Sequence, residues 1–170
     1  MVIGVPADRT DAFADDLEKI GLTARPSNWR RSTMACTGIE FCKLAIVETK
    51  AQAARVVDEL ERRLGALDSP ITVHINGCPN SCARIQVADI GLKGQIVVGP
   101  DGDQVEGFQV HLGGHFGANA AFGRKFRGLK VSADGMPDYI ERILRGYLDR
   151  REPDERFAGY VARAEEAWLQ

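Results

Sequence analysis

The chain has 170 residues, of which 44% are hydrophobic and 27% are charged, as in an ordinary globular protein that can bury a core. The formal net charge of −2 excludes the strongly basic surface that holds nucleic acid or anionic membranes. The longest unbroken apolar run is only Leu44 to Val47, so no segment can cross a bilayer. The first residues lack the basic and then apolar pattern of a signal peptide, so we expect a cytoplasmic location.

The N-terminal third of the chain is predicted to be mainly helical. A short strand over residues 2–5 and a turn at Pro6 lead into a helix over residues 8–20, which Gly21 ends. After a polar connection, residues 40–64 carry apolar side chains every three or four positions, which predicts a long helix. Cys42 is expected in the first turn of that helix.

The rest of the chain mixes predicted strands and helices. Residues 71–75 indicate one strand, and residues 88–114 indicate two strands around a Pro-Asp-Gly turn. The Gly-rich, basic segment 115–128 is predicted to contain one or two helical turns. Apolar stripes over residues 136–150 and 153–169 predict two more helices. Because strands and helices do not alternate strictly, we expect an α+β fold with a mixed or antiparallel sheet flanked by helices.

The four cysteines carry the main chemical signal. Cys36 and Cys42 form a C-x5-C pair, and Cys78 and Cys82 follow 35 residues later as a C-x3-C pair. In a reducing compartment, such cysteines more often bind metal or do redox chemistry than form disulfides. Both pairs fall in loops or at expected helix starts, where backbone N–H groups favour the thiolate.

Three interpretations of this spacing stay open. The first is two disulfides. The second is structural zinc, but paired zinc ligands usually have about two to four residues between them, which fits only the second pair. The third is an iron–sulfur cluster, whose larger core tolerates wider spacing. Gly38 and Gly77 allow the backbone to approach such a core. Candidate hydrogen-bond donors near the sulfurs are Thr37, Asn76, Asn80 and Ser81.

Two segments resemble the cofactor signatures of the sulfite and nitrite reductase family, which carries sirohaem coupled to a 4Fe–4S cluster. They are RRSTMACTGIEFCKLAIVETK and HINGCPNSCARIQVADIGLKG, and both cysteine spacings match. The resemblance continues through VEGFQVHLGGHFG to the C-terminal helices. Its details are most similar to the actinobacterial ferredoxin-dependent assimilatory sulfite reductases. It implies the family's haemoprotein fold and the six-electron reduction of sulfite to sulfide.

The resemblance also implies roles for individual residues. The four cysteines would ligate the cluster, and Cys82 would in addition bridge to the sirohaem iron. The carboxylates of sirohaem need cations and hydrogen-bond donors, for which Asn80, Arg84, Arg124 and Lys125 are the best candidates. Arg84, Arg124 and Lys125 lie beside Gly-rich segments that we expect at the cofactor. Further candidate cations are Arg30, Arg31, Lys43, Lys93 and Arg127.

Family members are several times longer, so the chain matches only their C-terminal part. The resemblance divides it into the end of a ferredoxin-like half-domain (1–25), a cofactor-binding domain (26–150) and a C-terminal helix (151–170). The substrate-binding side chains come from the other half. His111 and His115 are more simply a strand and a loop residue than catalytic groups. We therefore assign no catalytic residue and expect the chain to be inactive alone.

The implied partners are ferredoxin as electron donor, the missing N-terminal half, and sulfite or nitrite. Without that half, an apolar face would be exposed and would promote self-association. Three alternatives remain at this point. The chain can belong to a ferredoxin-dependent nitrite reductase or to a more distant relative in cobalamin biosynthesis. It can also be a non-catalytic module whose cysteines hold a lone 4Fe–4S cluster or zinc.

Overall fold

A single five-stranded mixed sheet organises the chain, of which the computed structural model describes residues 2–117 and 120–170. The strands are β1 (Thr33–Ala35), β2 (Val73–Asn76), β3 (Ile90–Val98), β4 (Gln104–Leu112) and β5 (Arg124–Ser132). They lie in the order β1-β2-β3-β4-β5. The β1–β2 and β2–β3 pairs are parallel, whereas β3–β4 and β4–β5 are antiparallel. The predicted α+β class with a mixed sheet is confirmed.

Helices form the second layer of the fold. They are α1 (Thr10–Lys19), α2 (Asn28–Ser32), α3 (Lys50–Leu64), α4 (Met136–Arg150), α5 (Phe157–Arg163) and α6 (Glu166–Leu169). In α4 the aromatic and aliphatic stripe predicted from the sequence is buried, and its Tyr147 ring lies 5.4 Å from Phe157 and 5.5 Å from Tyr160 of α5. Among the described residues, no helix has the length and apolar character needed to cross a membrane.

The sheet has one apolar face and one polar face, because successive residues of a strand point to opposite sides. Alternate side chains of β2, β3 and β4 join α3 and α4 in one hydrophobic core. These strand residues are Val73, Ile75, Ile90, Leu92, Phe108, Val110 and Leu112. The residues between them are largely polar and point to the other face of the sheet. The chain that follows β2 crosses this polar face.

The long helix α3 begins ten residues later than predicted. Its first residue is Lys50, and residues 40–49 are turns and extended chain, so Cys42 lies in a loop. The backbone N–H of Ile46 donates to the carbonyl of Gly77 (2.7 Å), and that of Glu48 donates to the carboxylate of Glu106 (3.0 Å). These partners replace the i−4 carbonyls of a helix, so tertiary contacts override the apolar periodicity.

Three smaller predictions also differ from the structure. The predicted N-terminal strand is absent, because residues 2–6 pair with no strand of the described chain. The basic segment after His115 leads into β5, and the part at 118–119 lies outside the described residues. Residues 151–170 contain α5 and α6 in place of one helix, with extended backbone at Ala164 and Glu165 between them.

Candidate functional site

The parallel pairing of β1 and β2 brings the two cysteine pairs to the same end of the sheet. Ala35 lies opposite Ile75, so the chain leaves both strands at adjacent positions. The backbone N–H of Cys36 extends the ladder by donating to the carbonyl of Ile75 (3.0 Å). Two loops follow: the first cysteine loop (residues 36–49) carries Cys36 and Cys42, and the second cysteine loop (residues 77–84) carries Cys78 and Cys82.

The first cysteine loop is closed by Thr49. This side chain is fully buried, and its hydroxyl donates to the carbonyl of Cys36 (2.7 Å) and lies 3.8 Å from the Cys36 sulfur. Gly38 has a φ of +80°, and a Cβ there would lie 2.7 Å from the Thr49 hydroxyl. The loop turns at Cys42, whose N–H donates to the carbonyl of Gly38 (3.0 Å). The sequence pattern placed Thr49 inside the predicted helix over residues 40–64, so its contact with Cys36 could not be read from the pattern.

The second cysteine loop is built on the side chain of Asn76. This amide is fully buried; its Nδ2 donates to the carbonyl of Cys78 (3.1 Å) and its Oδ1 accepts from the N–H of Ala83 (2.6 Å). Within the loop, Ser81 and Arg84 have left-handed φ values of 59° and 52°. Asn76 was proposed above as a donor to sulfur, but it bonds to the backbone around the cysteines.

The two loops contact each other directly. The N–H of Gly77 donates to the sulfur of Cys36 (3.1 Å), while the carbonyl of Gly77 accepts from Ile46 (2.7 Å). All four cysteines are free thiols: Cys78 is buried, Cys36 and Cys42 are half-buried, and Cys82 is exposed.

Beyond Cys82, the chain turns back across the polar face of the sheet. A Cβ on Gly91 would lie 2.0 Å from the carbonyl oxygen of Ile85, so glycine is needed for this close approach. The carbonyl of Gln86 then accepts the N–H of Gly123 (2.6 Å), just before β5 begins. The polar face beneath and beside this segment carries His74, Lys93, Gln95, His111 and Lys125. The buried amide of Gln109 is bonded to the backbone of β5 and is not open to a ligand on this face.

Two buried polar atoms on this face have no hydrogen-bond partner among the described residues: Nε2 of Gln95 and Nδ1 of His111. Burial, together with the positive charge of Lys93, lowers the pKa of the His111 imidazole. Burial likewise lowers the pKa of His74, whose Nδ1 lies 3.2 Å from the carbonyl of Arg84. Lysine and arginine side chains supply the permanent positive charge of this face.

The candidate cations are divided between different surfaces. Arg84 lies over the polar face, with its guanidinium 3.6 Å from the sulfur of Met34, which is opposite His74 in the sheet. Lys125 lies opposite His111 and therefore on the polar face. Arg124 points to the other face and stacks on Phe126 at 4.4 Å, so the structure separates it from Lys125.

The remaining predicted cations and Asn80 are less closely associated with the cysteines. Arg30 is paired with the carboxylates of Asp58 and Glu61 (both 2.8 Å) on α3, which occupies its charge on the helix surface. Arg31 donates to Asn28 (2.6 Å). Asn80 is exposed in the second cysteine loop, and Lys43 is exposed next to Cys42. These two side chains remain free to reach a group bound over the loops.

Within the described part of the chain, no three His, Cys, Asp or Glu side chains are placed to hold one metal ion. A tetrahedral zinc site would need its ligands around a single point, whereas the corners of a four-iron cluster separate the cysteines that bind it.

Comparison with known proteins gives the same family as the cysteine spacing. Residues 27–170 match the family model described as the nitrite and sulphite reductase 4Fe-4S domain. A sulfite reductase (ferredoxin) of Mycobacterium tuberculosis is 58% identical over 167 residues, covering 94% of this chain and 30% of that protein. A chloroplastic ferredoxin–nitrite reductase of Zea mays is 38% identical over 156 residues, covering 89% of this chain and 27% of that protein.

A solved structure extends the comparison to the fold. The Mycobacterium tuberculosis NirA protein superposes with a TM-score of 0.93 at 55% identity, over 99% of this chain and 32% of that one. The chain thus spans about a third of the length of the proteins that it matches. With the family model covering all but the N-terminal helix region, the chain belongs to the nitrite and sulphite reductase 4Fe-4S domain family.

Proposed function

We propose that this chain is the cluster-binding part of a ferredoxin-dependent assimilatory sulfite reductase, an oxidoreductase that reduces sulfite to sulfide. The observation that carries the proposal is the pair of cysteine loops at the common end of β1 and β2, joined by the Gly77 N–H bond to the Cys36 sulfur. In this proposal the four cysteines, which follow the family's spacing and are free thiols, come from these two loops.

In this proposal, Cys36, Cys42, Cys78 and Cys82 ligate the 4Fe–4S cluster. The exposed position of Cys82 supports its second role as the bridge to sirohaem, because a bridging sulfur must be reachable from outside the loop. The N–H of Gly77 would stabilise negative charge on the Cys36 sulfur. The buried Asn76 and Thr49 side chains hold the backbone on either side of the ligands.

The polar face of the sheet is the proposed surface for sirohaem. Arg84 and Lys125 supply cations for its carboxylates, and Gln95 Nε2 and His111 Nδ1 are buried polar atoms available to a polar ligand. Arg124 is not included, because it points to the helix side of the sheet. When bound, sirohaem coupled to the cluster supplies electrons one at a time to the anion at its iron.

The remainder of the enzyme is the proposed partner of the first cysteine loop. Phe41 is 76% exposed and Leu44 is 65% exposed on either side of Cys42, which is costly unless another surface covers them. We propose that the N-terminal half covers this loop and provides the side chains that bind sulfite. Ferredoxin is the proposed donor and the cytoplasm the proposed location, where thiols remain reduced.

A ferredoxin-dependent nitrite reductase is the second candidate. It uses the same cofactors and the same number of electrons, and the residues that would distinguish the two anions are expected outside this chain. Sulfite is preferred because the sulfite reductase of Mycobacterium tuberculosis is 58% identical to this chain, whereas the nitrite reductase of Zea mays is 38% identical.

The test is the cofactor content of the chain purified without oxygen from cells that also make sirohaem. We expect iron and acid-labile sulfide in equal amounts, four of each per chain, with no bound zinc. Sirohaem in the same fractions would show that this part alone forms the coupled centre, whereas cluster without sirohaem would show that the other half is required. Bound zinc without labile sulfide would contradict the proposal and leave the chain as a zinc module.

A further inference from the structure

The side chain of Asn76 connects the two ends of the second cysteine loop. Asn76 is the last residue of β2, and its side chain is completely buried. Its amide nitrogen holds the carbonyl of Cys78 at 3.1 Å, and its amide oxygen holds the N–H of Ala83 at 2.6 Å. Cys82 lies between those two contacts. One planar group therefore sets the separation of the backbone segments that carry both cysteines.

The other contacts of the loop do not hold the Cys78 carbonyl or the Ala83 N–H. Gly77 bonds to the first cysteine loop, the Ser81 hydroxyl bonds to the side chain of Gln86, and the Arg84 carbonyl lies 3.2 Å from Nδ1 of His74. Pro79 lacks an N–H, and Ser81 and Arg84 adopt the left-handed conformation that non-glycine residues seldom adopt. The N–H of Arg84 closes a turn by donating to the carbonyl of Ser81 (2.8 Å), but this bond lies after Cys78. Such a backbone persists only when surrounding contacts determine it, and Asn76 provides the two that bracket the cysteines.

We propose that Asn76 is the positioning residue of the second cysteine loop, fixing Cys78 and Cys82 at cluster-binding separation before any cluster is present. The inference rests on the proposed function, because it concerns how the same site is prepared. Asn76 does not touch the sulfurs; it acts through the Cys78 carbonyl and the Ala83 N–H. An asparagine is suited to this because it offers one donor and one acceptor in a single plane.

The chain provides a matched control in Gln109. This amide is also buried, and its Nε2 donates to the carbonyls of Phe126 (2.8 Å) and Leu129 (2.9 Å) in β5. It lies in β4, two strands away from β2. Replacing either amide by leucine removes a buried hydrogen-bonding group, but only Asn76→Leu does so at the cysteines.

The first measurement is amide hydrogen exchange on the cluster-free chain. The N–H of Ala83 is buried and its hydrogen bond is to the Asn76 side chain, so we expect slow exchange in the unmodified chain. Asn76→Leu should make exchange at Ala83 at least about tenfold faster, with Gln109→Leu leaving it unchanged. Asn76→Asp keeps the acceptor and should keep Ala83 protected. Equal protection of Ala83 in the unmodified chain and in Asn76→Leu would overturn the proposal.

The second measurement is made on the reconstituted cluster. Asn76→Leu and Asn76→Asp both lose the donor to Cys78, so each should release iron to a chelator about tenfold faster and broaden the electron paramagnetic resonance spectrum of the reduced cluster. Gln109→Leu should lower the unfolding temperature without changing that spectrum. If all three variants alter the spectrum alike, Asn76 has only a structural role and the inference fails.

The two measurements separate failure of the inference from failure of the proposed function. An unmodified chain that takes up no iron and sulfide would refute the proposed function, while Ala83 exchange would still report on the loop. If Asn76→Leu does not fold, Asn76→Asp decides, because it retains the shape of the side chain and its carboxylate cannot donate to the Cys78 carbonyl. If Asn76→Asp then releases iron at the same rate as the unmodified chain and gives the same electron paramagnetic resonance spectrum, the proposal fails.

Discussion

The backbone N–H of Gly77 donates a hydrogen bond to the sulfur of Cys36 over 3.1 Å. Gly77 directly precedes Cys78, so a ligand of the first cysteine loop is bonded to the backbone of the second. Hydrogen bonds to ligand sulfurs raise the reduction potential of a cluster by stabilising its more negative state. The two loops are thus joined through the same atom that the cluster would use.

Thr49→Val should destabilise the first cysteine loop. The substitution keeps the shape of a fully buried side chain but removes the donor to the Cys36 carbonyl, now at 2.7 Å. A buried acceptor left without its partner costs about 1–3 kcal/mol, which urea unfolding of the cluster-free chain will measure. Thr49→Ser keeps the hydroxyl and is the control. If Thr49→Ser lowers the free energy of unfolding more than Thr49→Val does, the methyl group, and not the hydrogen bond, stabilises the loop.

Cys82→Ser and Cys36→Ser should have different spectroscopic effects in protein that contains both cofactors. Cys82 is the exposed cysteine assigned to the bridge, so its loss should uncouple sirohaem from the cluster more strongly. Cys36 accepts the Gly77 hydrogen bond, so Cys36→Ser should change the spectrum of the cluster more than its coupling to sirohaem. Magnetic coupling between the two centres is the readout. Identical loss of every spectral feature in both variants would leave Cys82 without a distinct role.

The chemistry of the cysteines could be predicted from the sequence, but the structures that hold them could not. The spacing left three interpretations open, and the family resemblance assigned the four cysteines to a cluster, whose larger core tolerates wider ligand separation along the chain. Cys42 was placed in a helix because the apolar period continues unbroken before Lys50. In the fold, the Gly77 carbonyl and the Glu106 carboxylate accept backbone N–H groups of this segment in place of helix carbonyls. These contacts are long-range, and no local pattern reports them.

The same limitation applies to Arg124 and Lys125. Both belong to one basic segment, and the sequence predicted a helical turn there, in which consecutive residues lie only about 100° apart around the axis. The segment becomes β5, where neighbours point to opposite faces. Lys125 therefore reaches the polar face while Arg124 lies over Phe126. The cations could be recognised from composition, but their side of the sheet depends on the strand register.

Gly94→Ala should destabilise both cysteine loops at once. A Cβ there would lie 2.5 Å from Cγ2 of Val47 and 2.8 Å from the carbonyl oxygen of Asn76. Overpacking of this kind costs about 1–3 kcal/mol, measurable as a lower urea midpoint. Gly159→Ala is the matched control in α5, where the nearest atom would be at 3.4 Å and helix propensity favours alanine by about 1 kcal/mol. Equal midpoints for the two variants would contradict the packing argument.

The chain alone should self-associate through the first cysteine loop. Phe41 and Leu44 are 76% and 65% exposed there. Replacing them together, as Phe41→Ser with Leu44→Gln, should increase the monomer fraction in sedimentation velocity and reduce binding of a dye for apolar surfaces. Ile3→Ser is the control, because Ile3 is 82% exposed on the N-terminal segment. A chain that is already monomeric at high concentration would refute this prediction.

Asp89 should make the stability of the chain depend on pH. Burial raises the pKa of its carboxyl above the ordinary value of 3.8, although the N–H and hydroxyl of Thr72 both donate to it. The folded chain therefore binds this proton more tightly than the unfolded chain, and the contribution of Asp89 to stability falls as pH rises through the raised pKa. Asp89→Asn removes this titration, so its urea midpoint should decline less between pH 3.8 and neutrality.

The contribution of Asp68 to stability should depend on pH in the opposite direction from that of Asp89. The guanidinium of Arg151 lies 2.6 Å from this exposed carboxylate and lowers its pKa, so the contribution of Asp68 is present above the ordinary pKa and is lost as pH falls. Asp68→Asn should therefore lower the midpoint at neutral pH and lose that difference in acid. The two variants should change the slope of midpoint against pH in opposite directions. If the slopes change in the same direction, burial is not what controls the Asp89 carboxyl.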